Sequence, residues 1–112
     1  MRSKPVKPRV IAEDDLDRAC EYYLVEARPD VAEAFLIEFG QVMKRISESP
    51  KLGSPRYGFE SEIESVRFWS MKKFPYMIFY VETDHNIDVW RVLHGRTDIS
   101  SVLADPDSIA SQ

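Results

Sequence analysis

The sequence is poor in the residue types that most metal and cofactor sites require. It has one cysteine, Cys20, which excludes an internal disulfide framework and fits a reducing compartment. Two histidines and one cysteine do not make a convincing zinc site. The four glycines are scattered along the chain, so no glycine-rich phosphate loop is present. We therefore expect neither a metal nor a cofactor.

Long apolar runs and excess positive charge are missing as well. No stretch reaches the roughly 18 apolar residues that a membrane span requires. The basic N-terminus is not followed by an apolar run of secretory length. We expect a cytoplasmic protein that does not contact membranes. The net charge of −4 argues against broad nucleic-acid binding, because cations that neutralise phosphates supply most of that affinity.

The first half of the chain predicts a short strand and two helices. Residues 6–11 are typical of a strand that Pro8 confines to a sheet edge. A helix is predicted to start near residues 13–15, and Arg28-Pro29-Asp30 should end it. A second helix is predicted over residues 31–47. The predicted apolar stripes are Leu16, Ala19, Cys20, Tyr23, Leu24 and Ala27 on the first helix, and Ala34, Phe35, Phe39, Val42, Met43 and Ile46 on the second.

The second half of the chain predicts a sheet. Residues 49–55 form a loop, a strand-like pattern begins at Ile63, and the apolar run at 76–81 suits a central strand covered on both faces. A turn at 83–86 leads to a returning strand at 87–93, and a short helix follows from Asp98 to Leu103.

These elements predict an α+β fold with an N-terminal strand, a helical hairpin and a three-stranded antiparallel meander. The helices should pack on one sheet face and leave the other partly open. We expect a single domain over residues 1–112, with residues 1–5 and 105–112 frayed.

Cations and polar aromatic residues on the strands are the candidate functional residues. Arg91 interrupts an apolar strand, either as a surface residue or as a cation aimed at a phosphate or carboxylate. Alternation groups Arg91 with Ile87, Val89 and Leu93, and groups Trp90 with Val92 and His94, without indicating which group faces the core. His94 suits general acid–base chemistry, or it closes the sheet through a hydrogen bond. A Cys20–His94 nucleophile is conceivable, although the apolar stripe favours a buried thiol at Cys20.

The sequence resembles the RelE/ParE superfamily of bacterial toxins, and its ParE branch most closely. The resemblance covers most of the chain, and the order and spacing of its segments are more specific than any one of them. The segments are Ala12–Leu16 with Tyr22-Tyr23, Pro29–Phe35, Ser49–Gly53, Val66-Arg67, Phe74–Tyr80 and Trp90–Asp98.

The resemblance implies a fold like the one predicted above and a cognate antitoxin whose C-terminal segment wraps the toxin. ParE-like members poison DNA gyrase, whereas RelE-like members cleave messenger RNA in the ribosome. For the present chain, the residues expected to contact the target or the antitoxin are Arg67, Lys72, Lys73, Trp90, Arg91 and Arg96.

The residues favour the gyrase branch over the nuclease branch. In the RNA-cleaving branch that the sequence resembles, a late-strand arginine and a C-terminal tyrosine or histidine carry the reaction, and Arg67, Arg91 and His94 are the candidates that the resemblance implies here. However, no tyrosine follows Tyr80, and the chain is acidic. We therefore predict a plasmid-stabilisation type toxin that binds gyrase and has no active site of its own.

The alternatives are a metal-independent endoribonuclease of the RelE type and a non-toxic binding remnant. Exposed apolar surface on a free toxin would also favour a homodimer or a toxin–antitoxin hetero-oligomer.

Overall fold

The computed structural model describes residues 3–58 and 65–104. The strands are β1 (Val6–Pro8), β2 (Val66–Ser70), β3 (Tyr76–Glu82) and β4 (Ile87–His94), and the helices are α1 (Val10–Glu26), α2 (Pro29–Glu48) and α3 (Ile99–Ala104). Two short 3₁₀ turns, Pro50–Leu52 and Arg56–Gly58, lie between α2 and β2. Within the described ranges, no helix is both long and apolar enough to cross a membrane.

The helical hairpin starts earlier than the sequence pattern indicated. The predicted strand over residues 6–11 ends at Pro8, because Arg9 is already the N-cap of α1 and its carbonyl accepts the N–H of Glu13. The helix α2 begins at Pro29, whose fixed φ suits the first helical position. Of the predicted stripes, Leu24 is 50% exposed, and Ala27 and Ala34 also lie at the surface.

The four strands form one sheet in the order β1-β4-β3-β2. The predicted antiparallel meander is confirmed, since β3 pairs with β2 on one side and with β4 on the other. The strand β1 runs parallel to β4, with Val6 opposite Ile87. The connection from β1 through the helical hairpin and the meander is long enough to allow this parallel pairing.

Apolar side chains cover both faces of the sheet. On one face, α1 and α2 pack through residues such as Ala19, Phe35 and Ile46, which confirms the predicted position of the helices. The other face carries a second core in which Ile99 and Leu103 of α3 are buried. The expectation of a partly open sheet face is therefore wrong where α3 packs, because that short helix buries its apolar residues there.

A β-bulge in β4 changes which of its side chains share a face. Phe79 pairs with Arg91 and Tyr80 pairs with Val89, so Trp90 is an extra residue. The helix-side core contains Ile87, Val89 and Val92, and the other core contains Trp90 and Leu93. The two groups predicted by strict alternation are therefore wrong after Val89, since one inserted residue reverses the alternation.

The N-terminal segment is attached to the sheet. The Lys4 ammonium donates to the Thr83 carbonyl at 2.6 Å and pairs with Glu82 at 2.9 Å. The Pro5 carbonyl accepts the N–H of Ile87 at 2.9 Å. These contacts place Lys4 and Pro5 against the sheet, and the fraying expected for residues 1–5 stays a prediction. Residues 1–2 and 105–112, together with the predicted strand start at Ile63, lie outside the described residues.

Candidate functional site

Arg91 is committed to an ion pair inside the fold. Its Nε and Nη2 donate to the two carboxylate oxygens of Asp15 on α1, at 2.7 and 2.9 Å. Asp15 also accepts the main-chain N–H of Val92 at 3.0 Å and one hydrogen bond from Arg18 at 2.9 Å. The Arg91 and Asp15 side chains are 12% and 5% exposed. The strand β1 pairs with β4 only as far as Val89. The ion pair therefore joins α1 to the later part of β4, which has no contact with β1 in the sheet.

Trp90 belongs to a second internal network. Its indole N–H donates to Asp88 at 3.1 Å, and its ring lies 5.1 Å from the Arg9 guanidinium. Arg9 in turn makes a two-pronged contact with the Asp88 carboxylate, with hydrogen bonds of 2.9 and 3.0 Å. Trp90 is only 6% exposed, so it offers little surface to a binding partner.

Arg67 holds the loop after α2 against the sheet. Its Nη1 donates to the carbonyl oxygens of Gly53 and Lys51, at 2.8 and 3.1 Å. The neighbouring Tyr80 donates its hydroxyl proton to the Pro50 carbonyl at 2.6 Å. Because Tyr80 is buried, its pKa is raised to about 12, so the hydroxyl stays protonated and remains a donor.

The remaining candidate cations gather at one end of the sheet. Lys72 and Lys73 lie in the turn between β2 and β3, and Arg96 lies just after β4. The N–H of Gly95 donates to the Pro75 carbonyl at 2.8 Å, which joins the two segments. All three cationic residues are exposed. We call Lys72, Lys73 and Arg96 the turn surface; it is a local concentration of positive charge on a chain of net charge −4.

His94 lies beside the turn surface in an aromatic cleft. Its ring meets the Tyr76 ring edge-on at a centroid distance of 5.2 Å, and Tyr22, Tyr23 and Pro75 complete the cleft. The Nδ1 atom of His94 accepts the N–H of Arg96 at 3.0 Å. A neutral His94 with this hydrogen bond carries its proton on Nε2. Burial raises the pKa of both Tyr23 and Tyr76, so their hydroxyls remain protonated near neutral pH.

Comparison with known proteins assigns the chain to a family. The family model described as the ParE toxin of the type II toxin–antitoxin system parDE matches residues 6–99. The chain belongs to the ParE toxin family. Among its curated relatives, the toxin ParE2 from two strains of Mycobacterium tuberculosis, CDC 1551 / Oshkosh and ATCC 25618 / H37Rv, is 29% identical over 93 residues and matches over 83% of each chain.

A solved ParE-family fold supports the architecture. A chain of the chromosomal ParDE toxin–antitoxin system from P. aeruginosa superposes with a TM-score of 0.69 at 21% sequence identity. The match covers 82% of this chain and 96% of that chain. The α+β arrangement described above is therefore the ParE fold.

Two of the residues that a nuclease would use, Arg67 and His94, lie on different strands of this ParE-family chain. Arg67 pairs with Tyr80 and His94 pairs with Tyr76, on opposite sides of β3. Four residues along a strand and two strand spacings separate the Cα atoms of Arg67 and His94 by roughly 16 Å. Arg91 is already engaged by Asp15. Within the described ranges, no group of His, Cys, Asp and Glu residues suits a metal ion.

Asp15 and Arg9 are structural residues that the sequence patterns did not identify. Asp15 is one of several acids at the start of α1, where the others are exposed and the pattern indicated a solvated face. The spacing nevertheless indicates that Asp15 is buried, since Ala12, Asp15 and Ala19 lie at i, i+3 and i+7 on one face of the helix. All three are buried in the structure. An acid on a buried stripe requires a buried cation, and Arg91 supplies it.

Proposed function

We propose that this ParE-family toxin stops growth by binding DNA gyrase without cleaving a substrate, and that a cognate antitoxin neutralises it. The observation that carries the proposal is the engagement of the two strand arginines within the fold. Arg91 is bonded to Asp15, and Arg67 to the carbonyl oxygens of Lys51 and Gly53. A nuclease would need such cations free to stabilise the charge that develops on a reacting phosphate.

The turn surface is the proposed contact region for the target. Of the six residues predicted to contact a partner, Arg67, Trp90 and Arg91 make contacts that hold the fold together. Lys72, Lys73 and Arg96 remain exposed and lie next to the aromatic cleft of His94. Exposed cations beside aromatic rings combine electrostatic steering with an apolar contact, which suits a protein–protein interface.

The setting proposed for these contacts is the cytoplasm, where both gyrase and the antitoxin would be available. Several large apolar side chains are exposed on the hairpin, among them Val25 at 73%, Tyr22 at 57% and Ile37 at 56%. Apolar exposure of this kind supports assembly as a homodimer or as a toxin–antitoxin hetero-oligomer.

The proposal is tested by inducing the chain without antitoxin and pulse-labelling DNA and protein synthesis in the same culture. We expect DNA synthesis to fall first while translation continues. A triple charge reversal, Lys72→Glu, Lys73→Glu and Arg96→Glu, should weaken the arrest. Reversal of an exposed lysine outside the turn surface, Lys7→Glu, is the control and should leave the arrest unchanged. In a supercoiling assay with purified gyrase, the triple variant should lose inhibition and Lys7→Glu should keep it.

The alternative functions give different results in the same experiment. An early fall in protein synthesis would refute gyrase binding and favour ribosome-dependent RNA cleavage. In that case, His94→Ala should abolish killing by a protein that still folds. Growth that continues at full rate during expression of the wild-type chain would instead identify a binding protein without toxicity.

A further inference from the structure

The aromatic cleft beside His94 has walls of a kind that bind organic cations. Its successive rings are steeply inclined to each other, with interplanar angles of 77° for Tyr22 and Tyr23, 70° for Tyr23 and Tyr76, and 80° for Tyr76 and His94. The cleft has a volume of about 360 Å³. Aromatic rings that surround one space from several directions attract a cation, because the face of each ring carries negative potential.

The inner walls of the cleft are held in place by the helix-side core. Tyr23 packs against Phe35 and Phe74 at centroid distances of 5.3 and 5.1 Å, and Tyr76 packs against Phe35 at 5.4 Å. Tyr22, in contrast, is 57% exposed and forms the outer wall. A ligand that enters a site with positioned walls loses little free energy in ordering them.

The tyrosine hydroxyls of the cleft are not used inside the fold. Among residues 3–58 and 65–104, none hydrogen-bonds to the hydroxyl of Tyr22, Tyr23 or Tyr76. Burial, and then the neighbouring phenols, raise the pKa of Tyr23, as expected when the three phenols share one cleft. A protonated phenol oxygen keeps its lone pairs and can accept an N–H group of a ligand. The cleft therefore offers hydrogen-bond acceptors in addition to aromatic faces.

The end of α1 adds negative potential to this cleft. The last turn of α1 ends at Glu26 and contains no basic residue, so the negative end of the helix dipole is not compensated there. Glu26 lies one helical turn after Tyr22 on the same face. On the opposite wall, Nδ1 of His94 accepts the N–H of Arg96, and a ring with an acceptor nitrogen is uncharged. The exposed Arg96 side chain opposes this potential, but water and salt screen its charge.

We infer that the aromatic cleft binds an arginine side chain of the target protein, with the guanidinium against the tyrosine rings and its N–H groups donated to the tyrosine hydroxyls. Arginine suits the cleft because its planar guanidinium is weakly hydrated and stacks on aromatic faces. The inference rests on the proposed function for the identity of the partner, but guanidinium binding can be measured without it. The cleft would then accept a cation while the adjoining turn surface contacts acidic groups.

The test is an NMR titration of the wild-type chain, made by cell-free synthesis with labelled tyrosine and histidine. The probe is N-acetyl-arginine amide. The corresponding citrulline derivative is the matched control, because it has nearly the same shape as arginine but no charge. The corresponding lysine and aspartate derivatives test whether the cleft prefers an ammonium or a carboxylate group.

Three variants locate the binding and connect it with growth arrest. Tyr22→Leu removes the outer aromatic wall, and Tyr22→Phe keeps the ring but removes the hydroxyl. Leu24→Ala is the control, because Leu24 is an exposed residue of the same helix that does not line the cleft. Each variant is titrated with the arginine derivative and is also expressed in cells without antitoxin.

The arginine derivative should bind more tightly than the other three and should shift the signals of Tyr22, Tyr76 and His94. Tyr22→Leu should raise the Kd for this derivative about two- to fivefold, because one exposed cation–π contact is lost. Tyr22→Phe should raise the Kd less, since the aromatic face remains. Leu24→Ala should bind like the wild-type chain. In cells, Tyr22→Leu should weaken the growth arrest and Leu24→Ala should not.

The results that would overturn the inference differ from those that would contradict the proposed function. Equal binding of the citrulline derivative, or tighter binding of the lysine or aspartate derivative, would show that the cleft does not select a guanidinium. If Tyr22→Leu loses the arginine derivative but arrests growth as well as Leu24→Ala, the cleft does not contact the target, and the proposed function stands. If the wild-type chain never arrests growth, the proposed function fails, and with it the target as the source of the arginine.

Discussion

The ion pair between Asp15 and Arg91 supports the sharpest prediction about this protein. Replacing Arg91 with methionine keeps much of the side-chain volume but removes two hydrogen bonds to a carboxylate that is only 5% exposed. Breaking one half of a buried pair typically costs about 3–5 kcal/mol. Asp15 keeps the Val92 N–H and Arg18 as donors, so we place the loss of unfolding free energy near the lower end, at about 3 kcal/mol.

Urea unfolding followed by circular dichroism measures this loss. With a denaturant slope of roughly 1.5 kcal/mol per M, the midpoint of the Arg91→Met variant should fall by about 2 M. Arg18→Met is the control, because the Arg18 side chain is 68% exposed and its ion pair is expected to contribute under about 1 kcal/mol. The double variant Asp15→Leu/Arg91→Met should recover part of the loss, since apolar replacement of both partners leaves no uncompensated charge.

One result would refute this reasoning. If Arg91→Met unfolds at the same urea concentration as Arg18→Met but no longer arrests growth, Arg91 is not required for stability. Its guanidinium would then have to act directly on a target or substrate, and the argument against a nuclease would lose its main support.

Three further predictions test other contacts. Wild-type stability should fall as the pH rises from about 10 to 12. In this range the unfolded chain loses the Tyr80 proton, whose ordinary pKa is 10.0, whereas the folded chain keeps it because its pKa is raised to about 12. In pH-jump unfolding, Tyr80→Phe should show a smaller decline. Gly53→Ala should lower the melting temperature, because its new Cβ would lie 2.0 Å from the Tyr80 hydroxyl. Each kcal/mol of lost stability corresponds to a decrease of roughly 4–8 °C. An unchanged melting temperature would show that the loop can move away. Glu38→Gln should cost about 1 kcal/mol in chemical denaturation, because the amide oxygen can accept only one of the two main-chain N–H groups of Lys72 and Lys73, and that remaining bond loses its charge. Equal stability would contradict this role.

Local patterns predicted the order and type of the elements well, but their ends less well. The apolar run at 76–81 lies within β3, and the Arg28-Pro29 break separates α1 from α2. The start of α1 was placed too late because acids near residue 13 resemble a first turn. Val10 in fact begins the helix after Arg9 hydrogen-bonds to β4 through Val89. That tertiary contact has no counterpart in local sequence propensity.

The candidate residues were predicted by type rather than by role. Lys72, Lys73 and Arg96 are exposed cations, whereas Arg67, Trp90 and Arg91 are tied into the fold. A single sequence does not distinguish these two groups. The difference depends on whether a neighbouring element brings an acceptor, and the acceptors come from loop carbonyls, a strand aspartate and a helix aspartate.

The sequence by itself determined the α+β class, the helical hairpin, the meander and the resemblance to ParE-like toxins, because these depend on periodicity, breakers and the order of short segments. Only the tertiary structure determined that Arg91 forms an ion pair inside the fold. Its partner Asp15 lies 76 residues away in sequence, and the bulge at Trp90 reverses the side-chain alternation just before it. Both effects are non-local: a strand's alternation holds only while its register is unbroken, and a buried charge is tolerated only where folding brings an opposite charge to it.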